Sequence, residues 1–164
     1  MTTEKQVSPW TLINYMATEK IGMSKNTRNP DFILASASPR RRELLRQLGI
    51  SFVVVPSRLQ ETNQSGMKPL VHATYFAESK AKEVANRRPH NWVLAADTIV
   101  VLGEEILGKP VDFAEASSML SRLSGQSHRV ITGVCLMHQS KEVIESEWVE
   151  TKVFMGSLSA EDIA

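Results

Sequence analysis

Leu34-Ala35-Ser36-Ala37-Ser38-Pro39-Arg40-Arg41-Arg42-Glu43-Leu44-Leu45 is the stretch that decides how this 164-residue chain folds. Phe32 to Ala35 is a short apolar run, read as a buried strand. Pro39 suits the first helical position, with Ser38 as N-cap, and Gly49 stops the helix. A strand that feeds a helix through small residues leaves free backbone N–H groups at the helix N-terminus, where an anion binds readily. Arg40, Arg41 and Arg42 occupy that first turn, where each exposed cation opposes the helix dipole by roughly 0.3–1 kcal/mol. A bound anion such as phosphate would make sense of them; the competing reading is a solvated basic face. Successive side chains point about 100° apart, so the three arginines cannot all reach one ligand.

Outward from this turn, Ser51 to Val55 reads as a second strand, and residues 57–68 as a polar loop. Pro69 opens a helix to about Arg88 with Ala73, Ala77, Ala81 and Val84 as its inner stripe. Trp92 to Leu102 is the strongest strand, turned by Gly103-Glu104-Glu105 into a short partner, Ile106 to Gly108. Asp112 and Glu115 start another helix, and Gly125 ends it. Arg129–Met137 and Val143–Phe154 read as antiparallel neighbours. The order is that of one α/β or α+β domain with helices on its sheet. Ser159-Ala160-Glu161-Asp162 announces a further helix with only two residues left, so the domain over 31–164 is expected to lack its C-terminal portion. Residues 1–30 hold no apolar signal core. Trp10 to Lys20 could form a short helix with a thin apolar stripe, and the expectation for 1–30 is a loose N-terminal extension, open to disorder, or a start read too early.

Composition excludes several classes. With 19 Lys+Arg against 18 Asp+Glu, the chain is not a generally basic nucleic-acid binder. One cysteine, Cys135, rules out an internal disulfide framework and a Cys-rich zinc site. No apolar run approaches the ~18 residues of a membrane span. A cytoplasmic protein is expected, without nucleic-acid or membrane partners.

Asp97 is the charged residue of an otherwise apolar run, Val93 to Val101. An unpaired buried carboxylate is costly, so Asp97 has a partner, binds a metal or lies where the strand meets a cleft. Lys80 and Lys82 lie on different helix faces, so at most one faces a site. Lys109 could reach a phosphate as a point charge. Glu61 alone reads as a solvated loop residue. Gly103 to Lys109 matches G-x-x-x-x-G-K, but Pro110 stands where a P-loop needs Ser or Thr. His72, His90, His128 and His138 show no metal-ligand spacing, and Cys135 reads as a small core residue.

Four blocks together resemble the Maf (septum formation) nucleotide pyrophosphatases. They are the opening stretch Leu34–Leu45, Ala96-Asp97-Thr98-Ile99-Val100, Ile106-Leu107-Gly108-Lys109-Pro110, and Leu123-Ser124-Gly125-Gln126-x-His128-x-Val130-x-Thr132-Gly133-Val134. The resemblance runs from about residue 32 to the end and leaves out 1–30. It implies a Maf/inosine-triphosphatase-like α/β fold, a mixed sheet flanked by helices. It also implies hydrolysis of a nucleoside triphosphate to the monophosphate and pyrophosphate with a divalent metal, Mg²⁺ or Mn²⁺. Pro39-Arg40-Arg41 with Asp97-Thr98 is similar to the dTTP/UTP branch; the 7-methyl-GTP branch tends to carry Trp after the proline and Gln after the aspartate. By position, Asp97 matches the proton acceptor, and Arg40 and Thr98 match specificity positions. Ser36, Arg41, Glu61, Lys80 and Lys109 match residues lining the phosphate and metal site, with Asp97 and Glu61 holding the metal or activating water. The family's later Gly-Glu-Pro and Lys-Ala-Gly…Ile-Gln-Gly blocks are not found here, which agrees with the helix announced at Ser159. A homodimer is compatible with the resemblance. The alternatives are a non-catalytic nucleotide-binding or division-related interaction protein, an inactive fragment of the enzyme, and a purely structural anion-binding domain.

Overall fold

The computed structural model describes residues 8–20, 32–60 and 66–163. Its elements are α1 (Pro9–Tyr15) continued by a π-helical turn (Met16–Lys20), β1 (Phe32–Leu34), α2 (Pro39–Gln47), β2 (Val53–Val54), α3 (Pro69–Arg87), β3 (Trp92–Leu102), β4 (Glu105–Leu107), α4 (Phe113–Leu123), β5 (Ser127–His138), β6 (Val143–Phe154) and α5 (Ala160–Ile163). The strands form one mixed sheet in the order β2-β1-β3-β5-β6, with β4 also on β3. β1 lies parallel to β2 and β3; the β3–β4, β3–β5 and β5–β6 pairs are antiparallel. Among the described residues, no helix is long and apolar enough to cross a membrane.

One feature of the pairing sets the position of everything functional. β5 covers one edge of β3 from Val93 to Val101. The other edge is shared: β1 pairs with Trp92–Leu94, and β4 with Val100–Leu102. Between them β1 has turned away into the Ser36 loop, which leaves the middle of β3 with ladder partners on the β5 side only. Asp97 and Thr98 lie in this gap. Antiparallel and parallel neighbours thus diverge from one long strand, as they do at the crevices where open α/β sheets bind ligands.

Alternation along the strands divides the core into two layers. Phe32, Leu34, Leu94, Ala96, Val134 and Leu136 face Leu45 and Ile50 around α2. Ile33, Val93, Ala95 and Cys135 face the Ala77, Ala81, Val84 and Ala85 stripe of α3. The small stripe lets α3 approach the sheet to backbone contact. A Cβ built at Gly133 would stand 2.4 Å from the Ala73 carbonyl oxygen. Burial pushes the Cys135 thiol up to about 11, as expected of a core residue in this layer.

The N-terminal stretch departs from expectation. Pro9–Lys20 is helical, and Ile13 and Met16, each 2% exposed, sit in the cluster of Phe32, Leu34 and Leu136. Two apolar residues at i, i+3 spacing suffice to seat a helix when a sheet face stands ready; the rest of the expected extension, 1–7 and 21–30, lies outside the described residues. β4 starts one residue earlier than the sequence reading placed it, and α4 buries only Leu123. Ser159 and Asp162 form the reciprocal cap expected for α5, with Asp162 N donating to Ser159 Oγ at 3.2 Å.

Gly133→Ala is expected to destabilise the protein by about 3 kcal/mol, the upper end of the overpacking range, because the obstacle is backbone. Urea unfolding followed by circular dichroism checks this; an unchanged midpoint would contradict the close seating of α3.

Candidate active site

The Ser36 turn is built by its own side chains. Ser38 caps α2, its Oγ accepting from Arg41 N at 3.4 Å. Ser36, 6% exposed, accepts from Ser38 N at 3.2 Å and from Arg41 Nη1 at 3.2 Å. The other Arg41 nitrogen, Nη2, donates to Thr98 Oγ1 at 3.2 Å, and Thr98 Oγ1 lies 3.1 Å from Thr132 Oγ1. Arg41 therefore ties the helix N-terminus to the centre of β3. Its two neighbours do not join it. Arg42 Nη2 turns back to the Ala37 carbonyl at 3.2 Å, and Arg40 is exposed.

Strand alternation sends Asp97 to the opposite face, toward α3. There Lys80 Nζ donates to Asp97 Oδ1 at 2.6 Å, with the two side chains 11% and 8% exposed. His72, two turns before Lys80, places Nδ1 4.0 Å from Asp97 Oδ2. Lys82 on the adjoining helix face is exposed. Burial of Lys80 and Asp97 together resolves the cost of a lone carboxylate in an apolar run, since each charge has the other.

Two adjoining cavities open at the gap in the sheet. One, of about 630 Å³, has His72, Asp97, Thr98 and Lys109 among its polar walls and Phe76 and Leu107 among its apolar ones. The other, of about 400 Å³, lies over the turn and is lined by Ser36, Ser38, Arg41, Lys80 and Lys109. Leu59 and Lys109 border both. The loop carrying Leu59 is held to α3 by Glu83, which accepts from Arg58 N at 3.1 Å, and by Arg87, which donates to the Pro56 carbonyl at 3.0 Å. The Arg87 guanidinium beside Glu83 holds that carboxyl below its usual range.

Of the sequence-derived candidates, Ser36, Arg41, Lys80, Asp97, Thr98 and Lys109 thus meet around one cleft. Arg40 lines neither cavity, and Glu61 lies outside the described residues. His72 and Thr132 were not singled out from the sequence. His72 shares the Lys80 face through the spacing 72, 76, 80, a signal hidden by testing histidines only against metal-ligand motifs. Thr132 is reached only through the register that sets it opposite Thr98.

Among the described residues there is no cluster of three or more His, Cys, Asp or Glu side chains able to hold a metal alone. Asp97 still offers Oδ2 and the second lone pair of Oδ1, since Lys80 takes only one. That donor set fits Mg²⁺, which keeps several waters and uses one or two carboxylates with substrate phosphates.

An anion-binding cleft on an α/β sheet is the class this geometry defines: Arg41, Lys109 and a helix N-terminus line the same gap in the sheet as the buried Lys80–Asp97 pair. Comparison with known proteins narrows it. The family model described as Maf-like protein matches residues 31–164, and the chain belongs to that family. It is 48% identical over 132 residues to a dTTP/UTP pyrophosphatase of Myxococcus xanthus, and 50% identical over 131 residues to one of Symbiobacterium thermophilum. Each match covers 80% of this chain and 66% of the relative, so the chain spans about two thirds of the length of these curated proteins. A dTTP/UTP pyrophosphatase of Koribacter versatilis is 45% identical over 80% of this chain and 67% of its own length. Among solved structures, the Staphylococcus aureus Ham1 protein superposes with a TM-score of 0.52 at 13% identity, over 74% of this chain and 69% of that one, a likeness of fold.

Removing one partner of a buried ion pair strands the other charge, at a cost of about 3–5 kcal/mol. Lys80→Met is expected to lose that much stability at neutral pH. Chemical denaturation measures it; a loss below 1 kcal/mol would mean that Asp97 is solvated in the absence of Lys80.

Proposed function

We propose that this chain hydrolyses pyrimidine nucleoside triphosphates of the dTTP/UTP type to the nucleoside monophosphate and pyrophosphate. The observation that carries the reading is the placement of Asp97 between the Lys80 ammonium and a cleft whose far side is the Ser36–Arg41 turn. The relatives named dTTP/UTP pyrophosphatase support the choice of substrate. The proposed setting is the cytoplasm.

In this reading the triphosphate lies across the two cavities. The N-terminal N–H groups of α2, Ser36 and Arg41 hold phosphate oxygens on one side, and Lys109 reaches them from the border of both cavities. Thr98, fixed by Arg41 and Thr132, stands at the junction with the nucleoside and takes the specificity role together with Arg40. Arg40 meets the substrate only from outside the two cavities. Attack of water at the α-phosphorus needs a group to take the proton, and Asp97 takes it on Oδ2. Lys80 keeps Oδ1 paired and leaves Oδ2 toward the cleft. A divalent cation, Mg²⁺ or Mn²⁺, held by Asp97 and by Glu61, would neutralise charge that develops on the phosphates. The remaining transition-state charge is met by Arg41, Lys109 and the helix N-terminus, whose donors are in place before substrate arrives.

A second reading is nucleotide binding without turnover. It needs only the Ser36–Arg41 turn and Lys109, which line a cavity without Asp97.

Pyrophosphate release from UTP, dTTP, ATP and GTP with Mg²⁺ or Mn²⁺ separates the two. Turnover of UTP and dTTP is expected, and Asp97→Asn should lower it about 10²–10⁴-fold. Unchanged release by Asp97→Asn would remove Asp97 from its role. Nucleotide binding with no release would establish the second reading.

A further inference from the structure

His72 is 8% exposed, and its Nδ1 is buried with no hydrogen-bond partner. Leaving a buried polar atom unpaired is costly, and a phenylalanine would pack as well at this position. The ring already lies against Phe76, with centroids 4.5 Å apart. The acceptor that Nδ1 faces is Asp97 Oδ2 at 4.0 Å, across the wall of the larger cavity. That is about 1 Å longer than a hydrogen bond. Hydrogen bonds within catalytic groups are often long before substrate binds and tighten in the complex.

We propose that His72 is a positioning residue for Asp97, carrying its proton on Nδ1 and donating it to Oδ2 once the cleft is filled. This rests on the reading of Asp97 as the proton acceptor. Lys80 and His72 then hold the carboxylate from two sides, Nζ on Oδ1 and Nδ1–H on Oδ2. An ionised carboxylate offers about four lone-pair sites, so each oxygen held in this way keeps one for water or a cation. Rotation of the carboxylate about its Cβ–Cγ bond is stopped, and the Oδ2 lone pair that faces the cleft keeps one direction. The two holding residues come from one face of α3, two turns apart, so a single helix sets both contacts.

Two substitutions separate this role from packing. His72→Phe keeps the ring contact with Phe76 and loses the donor. His72→Asn loses the ring and keeps an N–H near the place of Nδ1. The kcat for UTP is expected to fall about 10–100-fold in His72→Phe with KM nearly unchanged, and to recover in His72→Asn. A packing role gives the reverse order and overturns the proposal, as does wild-type kcat in His72→Phe. Nitrogen-15 NMR of the His72 ring gives a reading independent of turnover. Its signals are assigned by their loss in His72→Phe, and spectra are taken of the full chain free and with Mg²⁺ and α,β-methylene UTP. A protonated Nδ1 with the analogue bound is the expected result, and a bare Nδ1 in both states overturns the proposal. If the wild-type chain releases no pyrophosphate, the hydrolytic reading fails while the NMR result still decides the place of the His72 proton.

Discussion

The buried pair between Lys80 and Asp97 is the interaction on which the arrangement depends. Two charges, each about nine-tenths buried, meet at 2.6 Å between the central strand and the helix that covers it. Such a pair is a poor device for stability, since desolvating both ions costs about as much as their attraction returns. An apolar pair in the same place would serve the core equally well. Its presence in an otherwise apolar layer is explained by what the pair faces, a cleft edged with further cations and a helix N-terminus. The close seating of α3 follows from the same demand. Ala73, Ala77, Ala81 and Gly133 strip side-chain bulk from the interface, and α3 comes near enough to β3 for a lysine and a histidine to reach one carboxylate.

The divided edge of β3 does the rest. A long strand paired along its whole length on both sides would bury Asp97 and Thr98 under neighbouring backbone. Because β1 leaves after Leu34 and β4 joins only at Val100, the middle of β3 stays open on one side. Strand alternation then turns a two-residue sequence into a two-sided site. Asp97 meets α3, while Thr98 meets Arg41 of α2. In the proposed function, chemistry and recognition are thereby carried on opposite faces of one strand, one residue apart.

Much of this was legible in the chain because it is local. The Ser38–Pro39 cap, the Gly49 stop and the alanine stripe of α3 are short-range signals, and each corresponds to a feature of the fold. Asp97 stood out as a charge in an apolar run, and helical periodicity alone separated Lys80 from Lys82. What was not legible depends on pairing across the fold. The gap in the sheet exists only through the registers of β1 and β4. The partner role of His72 appears only once α3 lies on β3, and that of Thr132 only once β5 lies beside it. The local pattern alone left the three arginines equivalent; geometry gives only Arg41 a place in the cleft wall. The N-terminal helix was undervalued because two apolar residues make a faint pattern, although they suffice against a prepared sheet face.

The account holds that the Lys80–Asp97 pair is kept for the nucleotide and not for the fold. Thermal denaturation of the double variant Lys80→Met/Asp97→Leu, with and without UTP and Mg²⁺, tests this most directly. The account predicts an unliganded melting temperature equal to or above that of the wild type, and a smaller rise than the wild type shows when UTP and Mg²⁺ are added. A markedly lower melting temperature together with a wild-type rise on adding UTP would contradict it.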